Sequence, residues 1–440
     1  MEFSPVAAGV IEVDLPIWLS GFFVTMLLSI AVFPLVAEHW WESNRNKLIV
    51  SLLLSVPVLA YLLSEGAVQE LIHAAEEYFA FIVLLGSLFV VSGGILVEGD
   101  IKATPKVNTA FLALGTILAS IMGTTGASML LIRPLLRTNS ERRHTIHTPL
   151  FFIFLVSNVG GLLTPLGDPP LFLGYLRGVP FEWTLGLWKE WLFVSVLLLA
   201  IYYVLDTRAY RKESPMDLTL DRARVEPLRV RGLLNLVWLA GIVLAVAFLN
   251  EKYIGDLSHY FVREWVMLAM AGLSWFLTPK ILRERQNFTF HPILEVAALF
   301  IGIFATMTPA LMLLEKHSAE LGLIHPLQFF WGTGFLSGFL DNAPTYLTFF
   351  SVAQGSSGVL QTIHGGADAV LGIPGIILAA ISLGAVFMGA MTYIGNGPNF
   401  MVKAIAEESG LRMPSFVGYM RWSVMVLVPI FVVTSVIFLL

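Results

Sequence analysis

The sequence predicts an all-α polytopic membrane protein with about ten transmembrane helices and two re-entrant hairpins, arranged as two inverted-topology repeats with broken helices. Hydrophobic residues make up 57% of the 440 residues and charged residues only 13%. The apolar residues form runs of about twenty, the length that crosses a bilayer as a helix. Two of these runs contain the same kind of polar break. Residues 1–440 are therefore predicted to form a single integral membrane domain.

The apolar runs give the elements in order. Continuous spans are predicted at 17–36, 48–63, 78–97, 188–206, 232–249, 263–279, 291–314 and 417–439. Two further spans, about 146–177 and about 373–404, are expected to be broken by Gly, Asp, Asn and Pro. The stretches 108–136 and 326–352 are also interrupted by Gly, Thr, Asp, Asn and Pro, so each is predicted to be two half-helices joined by a turn.

Basic residues orient the chain. The loop 207–231 carries seven Lys or Arg, whereas 65–77 carries four Glu. Because Lys and Arg concentrate in cytoplasmic loops, 207–231 is predicted to be cytoplasmic. Counting spans from it places further loops inside: 41–47, 98–107, 137–145, 280–290 and 405–415. The protein is expected in the cell inner membrane, with both termini outside, in the periplasm.

Composition excludes several classes of protein. The net charge of −5 is small for this length and gives no indication of a nucleic-acid partner. The absence of Cys excludes disulfides and thiol chemistry. The N-terminus lacks a basic segment and a small-residue cleavage site, so the first apolar run is predicted to be a mature span.

The two broken spans match each other. GDPPLF at 167–172 and GNGPNF at 395–400 carry Gly, Pro and Phe at the same offsets. The first hairpin is flanked by predicted cytoplasmic loops and the second by outside loops, so they should enter the membrane from opposite sides. We therefore predict repeat 1 at 38–225 and repeat 2 at 226–440. Such repeats form substrate sites near the bilayer midplane, where their interrupted helices meet.

Asp168 lies in the first break, directly before Pro169 and Pro170. An ionised carboxylate is costly inside a membrane and usually faces a polar cavity on an ion or proton path. A proton or a cation would neutralise it, so Asp168 is predicted to exchange H+ for Na+. The alternative is that Asp168 only caps the restarting helix, since Asp is a good N-cap and Pro suits the first turn.

Asp341 lies at the predicted tip of the second hairpin, next to Asn342. Because Asp-Asn is common in turns, Asp341 is either a turn residue or a second charge at the site. Aligning the hairpins by their distance from the broken spans places Thr124 and Thr125 opposite Asp341 and Asn342. The first hairpin would then offer hydroxyls where the second offers a carboxylate and an amide.

Other polar residues near the breaks and the hairpin tips complete the predicted cation and proton site: Ser157, Asn158, Thr164, Asn342, Asn396 and Asn399, with Pro344 and Thr345 at the second tip. Glu295, Lys403 and Arg133 are weaker candidates, because each could lie at the membrane interface. The His residues show no metal-binding spacing. Transported Na+ and H+ are expected, a carboxylate is the alternative substrate, and neither a cofactor nor enzymatic activity is expected.

Two segments resemble the signature segments of the ion transporter superfamily, in particular of its NhaD-type sodium/proton antiporters and the related citrate transporters. They are SNVGGLLTPLGDPP at 157–170 and FLDNAPTYLTFF at 339–350. The antiporter pattern is matched here by Gly160, Gly161, Pro165, Gly167 and Asp168, and by Asp341, Asn342, Ala343 and Pro344. The resemblance implies a homodimer in which a transport domain moves against a scaffold in an elevator-like motion.

The sequence departs from that family pattern at two places. Thr124 and Thr125 stand where the family often has Asp-Asn, and Pro169 and Pro170 replace the hydroxyl-rich residues that usually follow Gly-Asp. These departures leave the sodium stoichiometry and the substrate open.

Three functions compete. Na+/H+ antiport is favoured because two intramembrane carboxylates lie in the interrupted elements. Sodium-coupled citrate or dicarboxylate transport is the alternative, although the Ser-Asn-Thr motifs of the dicarboxylate branch are only half present, as Ser157 and Asn158. An intramembrane aspartyl protease is a remote alternative, suggested by PLGD at 165–168 and PAL at 309–311. However, the first Gly of the protease motif Gly-x-Gly-Asp is absent, the second Asp comes after the PAL and not before the GD, and a protease would leave the inverted repeats unexplained.

Overall fold

The computed structural model describes residues 15–440, apart from the side chains of Glu38 and Arg222. The prediction that the N-terminus lies outside concerns residues beyond this description. The helices of the first half are α1 (Ser20–Val36), α2 (Glu38–Trp41), α3 (Asn44–Ser64), α4 (Val68–Ser92), α5 (Pro105–Met122), α6 (Thr124–Thr138), α7 (His147–Leu155), α8 (Pro169–Leu176), α9 (Trp188–Tyr210) and α10 (Pro215–Ala223).

The helices of the second half are α11 (Leu234–Phe248), α12 (Glu251–Ile254), α13 (Val262–Leu277), α14 (Lys280–Arg285), α15 (His291–Lys316), α16 (Pro326–Phe339), α17 (Asn342–Gly355), α18 (Ser357–His364), α19 (Gly375–Met388), α20 (Gly397–Glu408) and α21 (Phe416–Phe438). Short 3-10 helices lie at Ile17–Leu19, Val159–Leu163, Phe181–Leu187, Gly255–Tyr260, Ser318–Leu321 and Gly389–Met391. Strands β1 (Leu96–Asp100) and β2 (Glu226–Arg231) pair antiparallel.

The protein is an all-α polytopic membrane protein, as the composition predicts. Among the described residues, seven helical segments are long and apolar enough to cross a membrane, or up to eight if the bent pair 234–248 and 251–260 counts as one span. Each predicted continuous span coincides with a helix. The prediction of about ten spans is higher because it includes α13, with only 16 residues, and the two broken helices. The hairpin arm α5, with 18 residues, passes the length test.

Both predicted hairpins are present. In the first, α5 and α6 are joined at Gly123, whose φ of 81° is a left-handed conformation that favours glycine. In the second, α16 and α17 are joined through Leu340 and Asp341. Each hairpin is therefore two half-helices whose returning arm begins at its tip.

Both predicted broken helices are also present. The first consists of α7 and α8, separated by an irregular segment with a 3-10 turn at Val159–Leu163. The second consists of α19 and α20, separated by a segment with a 3-10 turn at Gly389–Met391. Proline lies in the first turn of α8 and of α20, where its missing N–H leaves no backbone donor unpaired.

Several helix contacts between the two halves have a counterpart in which the equivalent helices have changed places. Helix α3 packs on α15 as α13 packs on α4, and α1 packs on α15 as α11 packs on α4. In the centre, α6 packs on α20 as α17 packs on α8. A twofold relation between the halves requires such pairs. The repeat boundaries 38–225 and 226–440 remain a prediction.

Contacts between loops confirm that the predicted cytoplasmic loops share one face. Three contacts join two of these loops directly: the β1–β2 pairing, Arg142 with Glu213, and Arg285 with Glu98. Two more join a loop to a residue of a neighbouring helix: Asn44 with the carbonyl of His291, and Glu408 with Arg133. Other contacts join loops of the opposite face: Lys252 with Glu182 and His364 with the carbonyl of Ile324. Charge patterning thus predicted the grouping of the loops.

Candidate ion-binding site

Four half-helices begin at one point in the centre of the molecule. Helix α6 begins at Thr124 and α17 at Asn342, while α8 and α20 follow Asp168 and Asn396 directly. Side chains of three of these residues donate hydrogen bonds to the fourth, Asp168. Because the N-terminus of a helix carries a partial positive charge, this convergence favours a negative group at its centre. The protein supplies that group itself.

Asp168 is 1% exposed, and both of its carboxylate oxygens are occupied. Oδ1 accepts from Thr124 Oγ1 at 2.9 Å and from Asn396 Nδ2 at 3.0 Å. Oδ2 accepts from Asn342 Nδ2 at 2.6 Å. These three donors are uncharged, and among residues 15–440 the carboxylate makes no ion pair. Asp168 is therefore a buried charge that hydrogen bonds stabilise but no residue neutralises.

The Asp168 side chain does not cap α8, which was the alternative to a role in ion binding. It occupies the N-cap position of α8, yet it makes no capping hydrogen bond within the described chain. The two residues that follow, Pro169 and Pro170, have no N–H, and Leu171 N donates to the backbone carbonyl of Asp168 at 3.1 Å. The carboxylate is thus free to interact with the other half-helices.

Glycines allow two backbone segments to come into contact within each broken helix. A Cβ added to Gly167 would lie 2.1 Å from the carbonyl oxygen of Gly161, and one added to Gly395 would lie 2.6 Å from that of Gly389. Both distances are too short for any side chain. The two pairs occupy equivalent positions in the two halves, so both halves share this close approach.

A second layer of amides connects the breaks. Asn158 Nδ2 donates to Asn399 Oδ1 at 2.7 Å, and Asn396 Nδ2 donates to the carbonyl of Ser157 at 3.0 Å. Asn399 Nδ2 donates to the carbonyls of Gly389 and Thr392 within its own break. All of these amides are buried. They fix the relative position of the two broken helices and leave Asp168 as the charged member of the group.

The structure corrects the alignment of the hairpin tips by one residue. Gly123 and Asp341 are the N-cap residues of α6 and α17, so Thr124 is equivalent to Asn342. The sequence alignment had placed Thr124 opposite Asp341. It used the distance to the broken spans, and the connecting segments of the two halves differ in length.

Asp341 has a different environment from Asp168. Its Oδ1 accepts from the backbone N–H of Ala343 at 3.0 Å, which caps α17. The predicted turn role is thus present. Asp341 is only partly buried and lines the same cavity as Asp168. It is therefore both a helix cap and a charge that faces the cavity.

The remaining predicted residues lie near the site without contacting the Asp168 side chain. Thr125 lines the cavity, and Pro344 and Thr345 lie in the first turn of α17. Ser157 Oγ pairs with Ser128 Oγ at 2.9 Å, and Thr164 Oγ1 donates to the carbonyl of Ser120. In the second half, Thr392 Oγ1 donates to the carbonyl of Gly338 in α16. In each half, a threonine of the broken helix therefore bonds to the first arm of the hairpin.

A cavity of about 780 Å³ leads to Asp168 and Asp341. Its ionisable side chains comprise five carboxylates, two lysines and one histidine: Glu42, Asp168, Glu295, Asp341, Glu407, Lys47, Lys403 and His291. Carboxyl groups thus outnumber ammonium groups in the lining by five to two. The charged residues away from the centre lie toward the face that carries the predicted cytoplasmic loops. A cavity with this excess of carboxyl groups attracts cations.

The three weaker candidates separate into two groups. Glu295 and Lys403 line the cavity, where Lys47 Nζ lies 2.7 Å from Glu295 Oε1 and Lys403 Nζ lies 3.3 Å from Glu407 Oε2. Arg133 does not line it and pairs with Glu408 instead. The PAL segment at 309–311 lies within α15 and also outside the cavity lining.

A second buried carboxylate, Asp206, was not predicted from the sequence. It accepts two hydrogen bonds from Arg142, at 2.6 and 3.2 Å, and one from Asn108 at 3.1 Å. His147 Nε2 lies 2.9 Å from Asp206 Oδ1. The only sequence signal was an acidic residue at the end of a predicted span beside a basic loop.

Comparison with known families agrees with this architecture. The model of a family described as "Putative citrate transport" matches residues 12–439. The chain belongs to this family. The protein is thus a multi-pass membrane protein of a secondary-transporter family, related to citrate transporters within the ion transporter superfamily. No curated protein matches the sequence.

Proposed function

We propose that this transporter exchanges Na+ for H+ through Asp168. The observation that carries the proposal is the position of Asp168 where four helix N-termini meet, held by three uncharged donors. An anionic substrate would be favoured at this point, but the carboxylate of the protein already occupies it. A proton or a cation can then neutralise the carboxylate alternately. The excess of carboxyl groups in the cavity lining supports the delivery of cations.

Sodium-coupled transport of citrate or another carboxylate is the second candidate. Two observations favour it: the family description and the volume of the cavity, about 780 Å³, which exceeds the need of a bare cation. In this reading Na+ at Asp168 would offset its charge, and Lys403 would meet a substrate carboxylate. Both candidates give Asp168 the cation, and they differ in whether an anion accompanies it.

Alternating access would follow an elevator-like motion. Helices α1, α3, α4, α11, α13 and α15 pack together as a scaffold, while both hairpins and both broken helices surround Asp168. On the face opposite the cavity mouth, Arg177 after α8 pairs with Glu77 on α4 at 2.9 Å. This ion pair would hold the transport elements against the scaffold while the cavity is open.

We further propose that the cavity opens to the cytoplasm, in an inner membrane, and that the protein is a homodimer. The orientation rests on the basic loops around the cavity mouth. The absence of Cys makes it testable with introduced cysteines. Cysteines at Thr125, which lines the cavity, and at Ser214, in the basic loop, should react with an impermeant maleimide from the same side. Labelling from opposite sides would contradict the inward-open assignment.

The test of function uses purified protein in liposomes that contain a pH-sensitive dye. With the interior acidified, external Na+ or Li+ should alkalinise the interior, whereas K+ and citrate alone should have no effect. Parallel uptake of radiolabelled citrate with and without Na+ tests the second candidate. Citrate uptake that requires Na+, without proton exchange, would overturn antiport and support carboxylate transport.

A further inference from the structure

A second, smaller pocket of about 160 Å³ lies apart from the central cavity. Its walls come from β1, from the returning arm α6 of the first hairpin, and from α14, which connects two scaffold helices. These elements lie on the face of the predicted cytoplasmic loops. The pocket is therefore at the level where α4, α6 and α13 end, close to the lipid headgroups.

The pocket has an excess of positive charge. Arg133, Arg137 and Arg285 line it, with Glu98 as its carboxylate. Glu98 already serves two guanidinium groups, since Arg285 and Arg231 each lie 2.6 Å from it. One carboxylate cannot neutralise both. The pocket thus remains positive even with Glu98 ionised.

The other arginines are also poorly neutralised. Arg133 Nη1 lies 3.2 Å from Glu408 Oε2, but the Glu408 side chain is 60% exposed, so water weakens this pair. Arg137 is exposed, and among residues 15–440 its guanidinium makes no close ion pair, although it attracts the Asp100 carboxylate at longer range. Both extend from one face of α6. They are available to an anion that enters from the surface.

A buried amide supplies a second, independent observation. Gln286 lines the pocket and is 5% exposed. Its Nε2 donates to the carbonyl of Ile95 at 2.6 Å, whereas its Oε1 is buried without a hydrogen-bond partner among the described residues. A buried acceptor without a donor is costly, and a ligand with a hydroxyl or ammonium group would satisfy it.

We propose that this pocket binds a phosphate-bearing anion, either the headgroup of an anionic phospholipid or a soluble phosphate ester. Guanidinium groups match phosphate oxygens in planar, charge-assisted pairs. Basic pockets between membrane helices on the cytoplasmic side suit lipid headgroups. Apolar residues of the same pocket, Leu96, Met129 and Leu130 among them, would contact the glycerol and the upper acyl chain. A hydroxyl or amine of the headgroup would donate to Gln286.

Binding there would link two parts of the transporter. The arginines of α6 belong to the first hairpin, whereas α14 connects two scaffold helices and β1 directly follows the scaffold helix α4. An occupant would therefore hold the hairpin in its present position and slow the exchange of conformations. This consequence rests on the proposed elevator motion, whereas the binding site itself does not.

The experiment measures binding by native mass spectrometry of full-length protein released from phosphatidylcholine nanodiscs, with or without phosphatidylglycerol. A separate arm adds inorganic phosphate or glycerol phosphate to protein in phosphatidylcholine alone. We expect one retained phosphatidylglycerol per chain if the source is a lipid, or one retained phosphate compound if it is soluble. The variant Arg137→Gln should lower that fraction roughly tenfold, as expected for one charge-assisted hydrogen bond.

Arg211→Gln is the matched control, because Arg211 is an exposed arginine at the end of α9 on the same face. It should retain the ligand as the wild type does. Equal loss in both variants would show nonspecific attraction and overturn the proposal, as would the absence of any retained phosphate compound. Because retention is measured without transport, a failure of the proposed antiport would leave this result unaffected.

Discussion

Asp168 and Asp206 are both buried carboxylates, with 1% and 0% of their surface exposed, but their partners differ. Asp206 contacts the guanidinium of Arg142 and the imidazole of His147. Asp168 contacts one hydroxyl and two amides. The first charge is neutralised by a permanent partner. The second is only solvated by dipoles, so a mobile proton or cation can neutralise it.

The surrounding elements fit this distinction. The Asp206 cluster joins the first hairpin, through Asn108, to α9, and the neighbouring Glu213 lies 3.7 Å from Arg142. Such a cluster fixes the fold at the membrane surface. Asp168 lies instead where elements of both halves meet at the end of a cavity. Burial of a carboxylate is therefore not itself a sign of transport, and the proposed exchange at Asp168 rests on its place between the two halves at the end of the cavity together with the missing counter-charge.

The largest effect on transport is expected for Asp168→Asn. Proton exchange should fall to the level of empty liposomes, because the variant carries no charge to neutralise. The fold should persist, since the amide of Asn342 can rotate to offer its oxygen to the new Nδ2 while Thr124 and Asn396 still donate to the remaining oxygen; even a lost hydrogen bond costs only about 1 kcal/mol. The measurements are dye alkalinisation and the thermal denaturation midpoint.

Competition between cation and proton sharpens this prediction in the wild type. If both ions occupy Asp168, a tenfold rise in external Na+ should move the activity profile toward lower pH, by up to about one unit. Asp168→Glu should retain partial exchange with an altered pH profile. Normal exchange by Asp168→Asn, or a profile that ignores Na+, would remove Asp168 from the mechanism.

The largest effect on stability is expected for Asp206→Asn. The change leaves Arg142, whose side chain is fully buried, with Glu213 at 3.7 Å as its nearest carboxylate among the described residues. Breaking a buried ion pair from one side costs about 3–5 kcal/mol. The denaturation midpoint and the folded yield should therefore fall, whereas any folded protein should still exchange ions. Glu182→Gln is the control, since it breaks an exposed pair with Lys252 and should change little. A stable but inactive Asp206→Asn would contradict the contrast between the two sites.

An intermediate effect is expected for Asp341→Asn. Asn caps a helix about as well as Asp, so the cap of α17 and the denaturation midpoint should be retained. The cavity loses one negative charge, and the Na+ concentration for half-maximal exchange should rise several-fold. Asp341→Ala, which also removes the cap, should lower the midpoint as well. Unchanged Na+ dependence in Asp341→Asn would reduce Asp341 to a structural residue.

Much of the fold could be predicted because its signals are local. Span lengths follow from apolar runs, and the breaks follow from Gly and Pro, as at Gly123 and Pro169. The Lys and Arg residues of six loops predicted that these loops lie on the same face of the membrane. The candidate site was predicted as a group for the same reason, since polar residues in apolar runs are easily recognised.

The contacts within the site could not be predicted. Asn342 and Asp168 are 174 residues apart, and only the tertiary fold shows that this amide, and not Asp341, contacts the carboxylate. The one-residue error in hairpin alignment hid this pairing. Asp206 was missed because its partner Arg142 lies 64 residues away, in a loop that the charge pattern explains without it. Contacts between residues far apart in the sequence depend on how the helices pack, and local sequence patterns carry no information on that packing.

The smallest effect concerns a third kind of carboxylate environment, at the cytoplasmic face. Asp100 ends β1, and partial burial, followed by the nearby charges of Glu141 and Asp221, raises its pKa from 3.8 to about 6. A raised pKa means that the folded protein holds this proton more tightly than the unfolded chain. The contribution to stability is therefore most favourable below about pH 4 and is lost as the pH rises to about 6.

Asp100→Asn removes this dependence. At pH 7.5 the variant should denature about 1 °C higher than the wild type, a small gain because solvent screens a partly exposed charge. At pH 4 the two proteins should denature together, since the wild-type carboxyl is then largely protonated. Glu251→Gln, an exposed carboxylate near the opposite face, should shift neither value. A gain of equal size at both pH values would show that Asp100 destabilises the fold by its shape, and a loss at pH 7.5 would show that it has a cationic partner as Asp206 does. Only a gain confined to the higher pH shows that burial and the like charges of Glu141 and Asp221 outweigh the attraction of Arg137, so that Asp100 differs both from Asp168 and from the ion-paired Asp206.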